Sequence, residues 1–150
     1  MEITTESIKE LREMTGVSVT QCKGALEEAG GDLAKAAVIL KKHSGASARK
    51  KADRTLKGGA IGSYVHDGHI GAMVHLACET DFVAKNPEFV AFARELAMQV
   101  AAMDPEDNEA LLEQPSIKEG SKTVHNLLDE ATQKFGERVE IIQFMRLSSR

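Results

Sequence analysis

Apolar residues recur every three or four positions through roughly the first 40 residues, then every second position between about residues 58 and 78. The change of period divides the chain. In the helical part, Thr4 is placed to cap a first helix, with Ile3 and Ile8 as the two halves of a hydrophobic staple. Ile8, Leu11 and Met14 form one apolar stripe, and Gly16 supplies a left-handed stop. Ser18 and Gln21 have capping-box spacing for a second helix, which carries Cys22, Ala25, Leu26 and Ala29 and ends at Gly30-Gly31. Asp32 caps a third helix with inner positions Leu33, Ala36, Ala37 and Leu40. Alanines at the contacts let the three helices approach closely.

Residues 41–57 break the pattern. Lys41, Lys42, Arg49, Lys50, Lys51, Arg54 and Lys57 stand against a single acid, Asp53. Two readings are open, a solvated linker helix or hinge and a patch that meets an acidic partner or nucleic acid. Beyond Lys57, Ala60–His66 and His69–Cys78 flank Asp67-Gly68, the signal of a hairpin with a type I′ turn. Ile70, Ala72, Val74, Leu76 and Cys78 share one strand face. Gly58, Gly59, Gly62 and Gly71 point to a bend or a close backbone approach near the first strand.

After a break at residues 79–85, Asn86-Pro87 opens a helix carrying Phe89, Phe92, Ala93, Leu96 and Val100, which stops before Asp104-Pro105. Residues 104–120 are acidic and turn-rich and read as a surface excursion with at most one short helix. Ser121–Phe135 is helical, with Val124, Leu127, Leu128 and Ala131 inward and Gly136 as its stop, and Arg138–Leu147 is a third strand. The predicted fold is α+β: a three-helix bundle over 1–45, a basic linker over 46–57, and a core over 58–150 with a small three-stranded antiparallel sheet and helices on one face.

Composition narrows the function classes. The chain has 150 residues, 42% hydrophobic, with a net charge of -4. That apolar content can fill a core, and the mild acidity argues against a generic nucleic-acid coat. No segment reaches the ~20 apolar residues of a membrane helix, and the N-terminal residues lack a signal-peptide apolar region, so a soluble cytoplasmic protein is expected. Cys22 and Cys78 are far apart and form no CxxC, which disfavours a disulfide scaffold.

Candidate chemistry is sparse. His69 and His75 share a strand face but stand roughly 20 Å apart at about 3.3 Å per residue, too far to ligate one ion. No nucleophile triad and no phosphate-binding glycine loop is present, so no catalytic residue, metal or cofactor is expected. Glu79 and Asp81 read more readily as caps at a strand-to-helix turn than as an acid/base pair. The segment Thr80-Asp81-Phe82-Val83-Ala84-Lys85-Asn86 sets an acid beside a large aromatic just past a strand end. Either Phe82 anchors the core and Asp81 caps the next helix, or both project as a probe whose Phe enters a partner's apolar slot.

Three stretches resemble the bacterial elongation factor Ts family. These are Ile8–Arg12 with Thr15-Gly16-Val17, Cys22–Leu26 and Gly31-Asp32-Leu33; Cys78–Lys85, the family's most diagnostic motif; and Lys122-Thr123-Val124 before Leu127-Leu128. The resemblance implies a guanine-nucleotide exchange factor for elongation factor Tu, acting in translation in the cytoplasm of a bacterium or in an organelle of bacterial origin. It implies a ubiquitin-associated-type N-terminal domain that docks on the partner, with Arg12, Val19 and Lys23 at contact positions, although other members often carry methionines where Val19 and Thr20 stand. It further implies that Thr80, Asp81, Phe82 and Val83 dislodge the magnesium ion that helps hold GDP, Phe82 wedging between two partner helices and Asp81 disturbing the water around the ion. Longer members carry two core subdomains. Only one fits in 58–150 here, which implies a short, homodimeric form.

Two other classes remain on the sequence alone. A ubiquitin-associated-type binding module would use only the first bundle. A nucleic-acid binder could use 41–57, but that stretch lacks aromatic residues for stacking, so no direct nucleic-acid or membrane contact is expected.

Overall fold

The structure is a computed structural model and describes residues 2–150. Its first helix, α1 (Thr5–Thr15), begins at a reciprocal capping box in which Thr4 Oγ1 accepts from Ser7 N and Ser7 Oγ accepts from Thr4 N. Gly16 ends it in the left-handed region at φ 71°. Ser18 caps α2 (Val19–Glu28) through the amide of Gln21, and Asp32 caps α3 (Leu33–Lys51) through that of Lys35. Each such cap contributes about 1 kcal/mol. Leu11, Val17, Cys22, Ala25, Leu26, Ala36 and Leu40 form the core of the bundle. Met14, placed on the inner stripe by its spacing, is exposed instead.

The basic stretch is helical as far as Lys51. It lacks an apolar face, but Ser44 is buried, with its hydroxyl on the Lys41 carbonyl, and Lys51 Nζ donates to Ser47 Oγ. Arg49, Lys50 and Lys51 fill the last turn, where cations complement the helix dipole.

The hairpin joins β1 (Gly58–His66) to β2 (Ile70–Cys78), and Asp67 and Gly68 both have positive φ, at 50° and 72°. That pair of values is the type I′ geometry. A third strand, β3 (Glu140–Ser148), lies antiparallel on the other side of β2, giving the order β1-β2-β3. One residue is left over in that pairing: His75 faces Gln143 but Leu76 faces Ile141, so Ile142 is a bulge. The bulge switches the alternation of β3. Ile141 and Phe144 both come to the side of Leu76 and Val74, and Gln143, Met145 and Leu147 fall on the other side.

Two further helices follow β2: the short α4 (Asp81–Ala84), in what the sequence marks only as a break, and α5 (Pro87–Met103). Asn86 caps α5 and Pro87 occupies its first turn. Phe89, Ala93, Leu96, Ala97 and Val100 are buried along α5, which packs on the sheet. Gly62 permits the closest approach, because a Cβ there would lie 2.1 Å from the Ala93 carbonyl oxygen. The opposite sheet face is uncovered in the single chain. It carries Ile61, Val65, Met73, Met145 and Leu147, all exposed.

Residues 104–123 are more than a surface excursion. The short α6 (Asn108–Glu113) buries Leu111 completely, and Ser116 is also buried. Gln99, only 3% exposed in α5, holds the segment: its Nε2 donates to Gln114 Oε1 and the Pro115 carbonyl, and its Oε1 accepts from Ile117 N at 2.9 Å. Thr123 then caps α7 (Val124–Phe135), its hydroxyl accepting from Asn126 N while Asn126 Oδ1 accepts from Thr123 N. Gly136 closes that helix at φ 71°.

The chain divides into two compact units. One takes the residues up to Ala52 together with Asp129–Gly136, and the other comprises Asp53–Leu128 and Glu137–Arg150. The second unit is α+β and holds the whole sheet. No helix among the described residues is long and apolar enough to cross a membrane.

Candidate functional site

β2 ends at Cys78, fully buried, and the chain must then turn to enter α4. Thr80 makes that turn. It is the helix cap, with Oγ1 accepting from Val83 N at 3.3 Å. Asp81, weighed above as a cap, is instead the first residue inside the helix, where its carboxylate is exposed at the positive end of the backbone dipoles. Val83 and Ala84 turn inward and are buried, anchoring the short helix. Phe82 turns outward and is 86% exposed. The core-anchor reading of Phe82 therefore fails. At that exposure the ring adds nothing to the packing of the free chain.

The turn is held from β3's side of the sheet. Glu137 Oε1 accepts from the amides of both Glu79 and Thr80 at 3.0 Å, and Glu137 Oε2 accepts from the Thr80 hydroxyl at 2.7 Å. Glu79 returns the contact: its Oε2 accepts from Arg138 N at 2.6 Å and pairs with Arg54 at 3.5 Å. Cys78 Sγ donates to the Thr80 carbonyl at 3.2 Å. Burial, with Glu137 adding to it, pushes the Cys78 thiol up from its ordinary value, so it stays protonated and unreactive. Gly58 gives the turn its space, since a Cβ there would lie 2.5 Å from the Thr80 carbonyl oxygen.

Arg12, Val19 and Lys23 belong to the other unit. Arg12 lies in the last turn of α1, Val19 opens α2, and Lys23 follows one turn later; all three are exposed. Among the described residues no three His, Cys, Asp or Glu side chains converge as metal ligands. His66 and His69 flank the hairpin turn, hydrogen-bonded to the Tyr64 hydroxyl and Ser149 Oγ. Sequence reasoning missed Glu137. It lies 57 residues from Thr80, and an acid after a helix-stopping glycine carries no local signal of what it will hold.

The family model described as Elongation factor TS matches residues 79–150, a span that holds Thr80–Val83 and Glu137 together. An elongation factor Ts of Thermodesulfovibrio yellowstonii is 37% identical over 190 aligned positions, covering 97% of this chain and 96% of the relative. One from Carboxydothermus hydrogenoformans is 40% identical, covering 96% of this chain and 88% of the relative. One from Thermotoga petrophila reaches 57% over 106 residues, 70% of this chain and 53% of its own length. An alignment of 190 positions against 150 residues leaves 40 or more that only the Thermodesulfovibrio protein fills. Near-complete coverage of both proteins at that identity decides the matter: the chain belongs to the elongation factor Ts family.

Proposed function

We propose that this protein promotes nucleotide exchange on elongation factor Tu, with Thr80–Val83 as the probe that disturbs the magnesium site of the GDP-bound partner. The observation that carries the reading is the outward position of Phe82 beside Asp81, on a helix that is capped and anchored. Phe82 supplies the apolar wedge. Asp81 supplies negative charge where the partner holds a divalent cation and its waters. Thr80 and Val83 fix the pair from within, one as cap and the other as buried anchor. Arg12, Val19 and Lys23 dock the N-terminal bundle on the partner.

The physics is differential binding. A factor that prefers the nucleotide-free partner weakens GDP by the same free energy with which GDP weakens the factor. No bond is made or broken, and this chain needs no catalytic group, cofactor or metal of its own. Release of labelled GDP from elongation factor Tu tests the reading. The wild-type chain accelerates release and Phe82→Ala loses most of that acceleration with or without magnesium. Asp81→Asn slows release when magnesium is abundant and recovers when a chelator removes it. Wild-type protein without effect on GDP release sinks the reading.

We further propose a homodimer in which the uncovered sheet face meets its copy. Met73 and Met145 are paired across β2 and β3 at the middle of that face, with Ile61, Val65 and Leu147 around them. A symmetric partner covers such a face with an identical one. Sedimentation equilibrium of the full chain should give a dimer, and Met73→Glu a monomer with unchanged secondary structure. A monomer for the wild type at tens of micromolar refutes it.

A further inference from the structure

Resting on the exchange reading above, we propose that Glu137 is the positioning residue of the probe: its carboxylate sets the angle at which Asp81 and Phe82 leave the sheet. Three observations converge on it. Its two oxygens take three donors, the amides of Glu79 and Thr80 and the Thr80 hydroxyl. The Thr80 hydroxyl is also the cap of α4, so Glu137 reaches the helix that carries Phe82 through a single shared atom, Thr80 Oγ1. The brace is reciprocal, because Glu79 at the end of β2 accepts from the amide of Arg138, next in sequence to Glu137. Charge-assisted bonds of this kind are stronger and shorter than neutral ones, and two anchored amides define a direction where one would define a pivot.

A four-residue helix cannot hold itself in water, since nucleation costs more than one turn returns. Val83 and Ala84 bury one side of α4, and Glu137 fixes the turn that leads into it. A probe held in its binding geometry binds as if fully populated, whereas a loosened one is weakened by the fraction of time it spends misdirected. Both Glu137 oxygens are engaged by Glu79 and Thr80, so it acts through the turn.

The test uses the full chain and stimulated GDP release. Glu137→Ala should slow release on the order of tenfold at subsaturating factor, the loss shrinking as factor concentration rises, as for a population effect. Glu137→Gln keeps an oxygen for the two amides and should restore release to within about threefold; Glu137→Asp, one methylene short, should behave like the alanine variant. Amide hydrogen exchange read by NMR should show Glu79 and Thr80 losing protection in Glu137→Ala and keeping it in Glu137→Gln. In a double-mutant cycle, Glu137→Ala should add little to Phe82→Ala, because both act through one side chain.

Undiminished release by Glu137→Ala, with Phe82→Ala impaired, overturns the proposal and leaves the exchange reading standing. Full additivity of the two substitutions overturns it as well. If wild-type protein does not release GDP, the exchange reading fails and takes this inference with it. Should Glu137→Ala not fold, Thr80→Ala removes the hydroxyl that bridges Glu137 and Val83 and must itself slow release, with Thr80→Ser restoring it. Equal rates for those two overturn the proposal.

Discussion

Two connections in the second unit look alike as sequence and behave oppositely as structure. Residues 79–86 follow β2, and residues 104–123 follow α5; both are polar, rich in acids, and interrupted by a short helix. In each, one side chain from outside the connection accepts from its backbone: Glu137 from the amides of Glu79 and Thr80, Gln99 from that of Ile117. Both short helices bury an apolar side chain, Val83 in α4 and Leu111 in α6, and the difference is that α4 also presents a large one to water. α6 hides Leu111 completely, whereas α4 exposes Phe82. A tether combined with a buried side chain closes the fold. On the exchange reading proposed above, the same kind of tether combined with an exposed one aims it, which would separate residues held for stability from residues held for use.

Truncation should split the pair cleanly. Leu111→Ala removes a fully buried leucine and should cost about 2–5 kcal/mol, read as a large drop in melting temperature or denaturant midpoint. The protein that remains folded should still stimulate exchange. Phe82→Ala should do the reverse, costing about 2 kcal/mol or more in partner binding while moving the stability of the free chain by less than about 0.5 kcal/mol. A sharp fall in melting temperature for Phe82→Ala would mean the aromatic serves the fold after all.

Gln99→Leu tests the other tether. It keeps the volume but strands the Ile117 amide and the Gln114 amide oxygen, so a loss of about 1–3 kcal/mol in urea unfolding is expected. Its exchange rate per folded molecule should match wild type. If Gln99→Leu is instead as stable as wild type, α6 holds the segment through Leu111 alone.

The smallest effect concerns pH. Burial raises both thiols, Cys22 and Cys78, above the ordinary thiol value of about 8.5. A raised folded value means the native state keeps its proton while the unfolded chain loses it. The contribution to stability is therefore fully present below about pH 8.5 and is lost as pH climbs from there through the folded values. Melting temperatures taken across that window should fall less steeply in a Cys22→Ala, Cys78→Ala double variant than in wild type.

Much of this was legible in the order of residues. Thr4, Ser18, Asp32 and Asn86 mark helix starts by local hydrogen bonds that any chain with those residues can make, and Asp67-Gly68 marks the hairpin for the same reason. Phe82 stood out because it sits beside an acid at a strand end, yet only its surroundings could say whether it points in or out. What was not legible is long-range. The brace by Glu137 and the tether by Gln99 join residues far apart in sequence, and no periodicity encodes such pairs. The bulge at Ile142 hides inside a run of apolar residues that reads as either alternation. The extension of α3 to Lys51 lacks an apolar stripe, so it rests on helix-forming residues and a basic last turn.

Gly58 and Gly62 carry a consequence for reading variants of this protein. Neither has a side chain, so neither can touch a partner, a ligand or an ion through one. Each is nevertheless a mould: Gly62 keeps clear the volume taken by the Ala93 carbonyl, and Gly58 that taken by the Thr80 carbonyl. A mutational scan would score both as intolerant, and the same score would mean different things at the two positions. Damage at Gly62 lifts a helix off its sheet. Damage at Gly58 presses on the turn that carries Phe82, so on the proposed exchange role a position with no chemistry of its own would pass for part of the recognition surface.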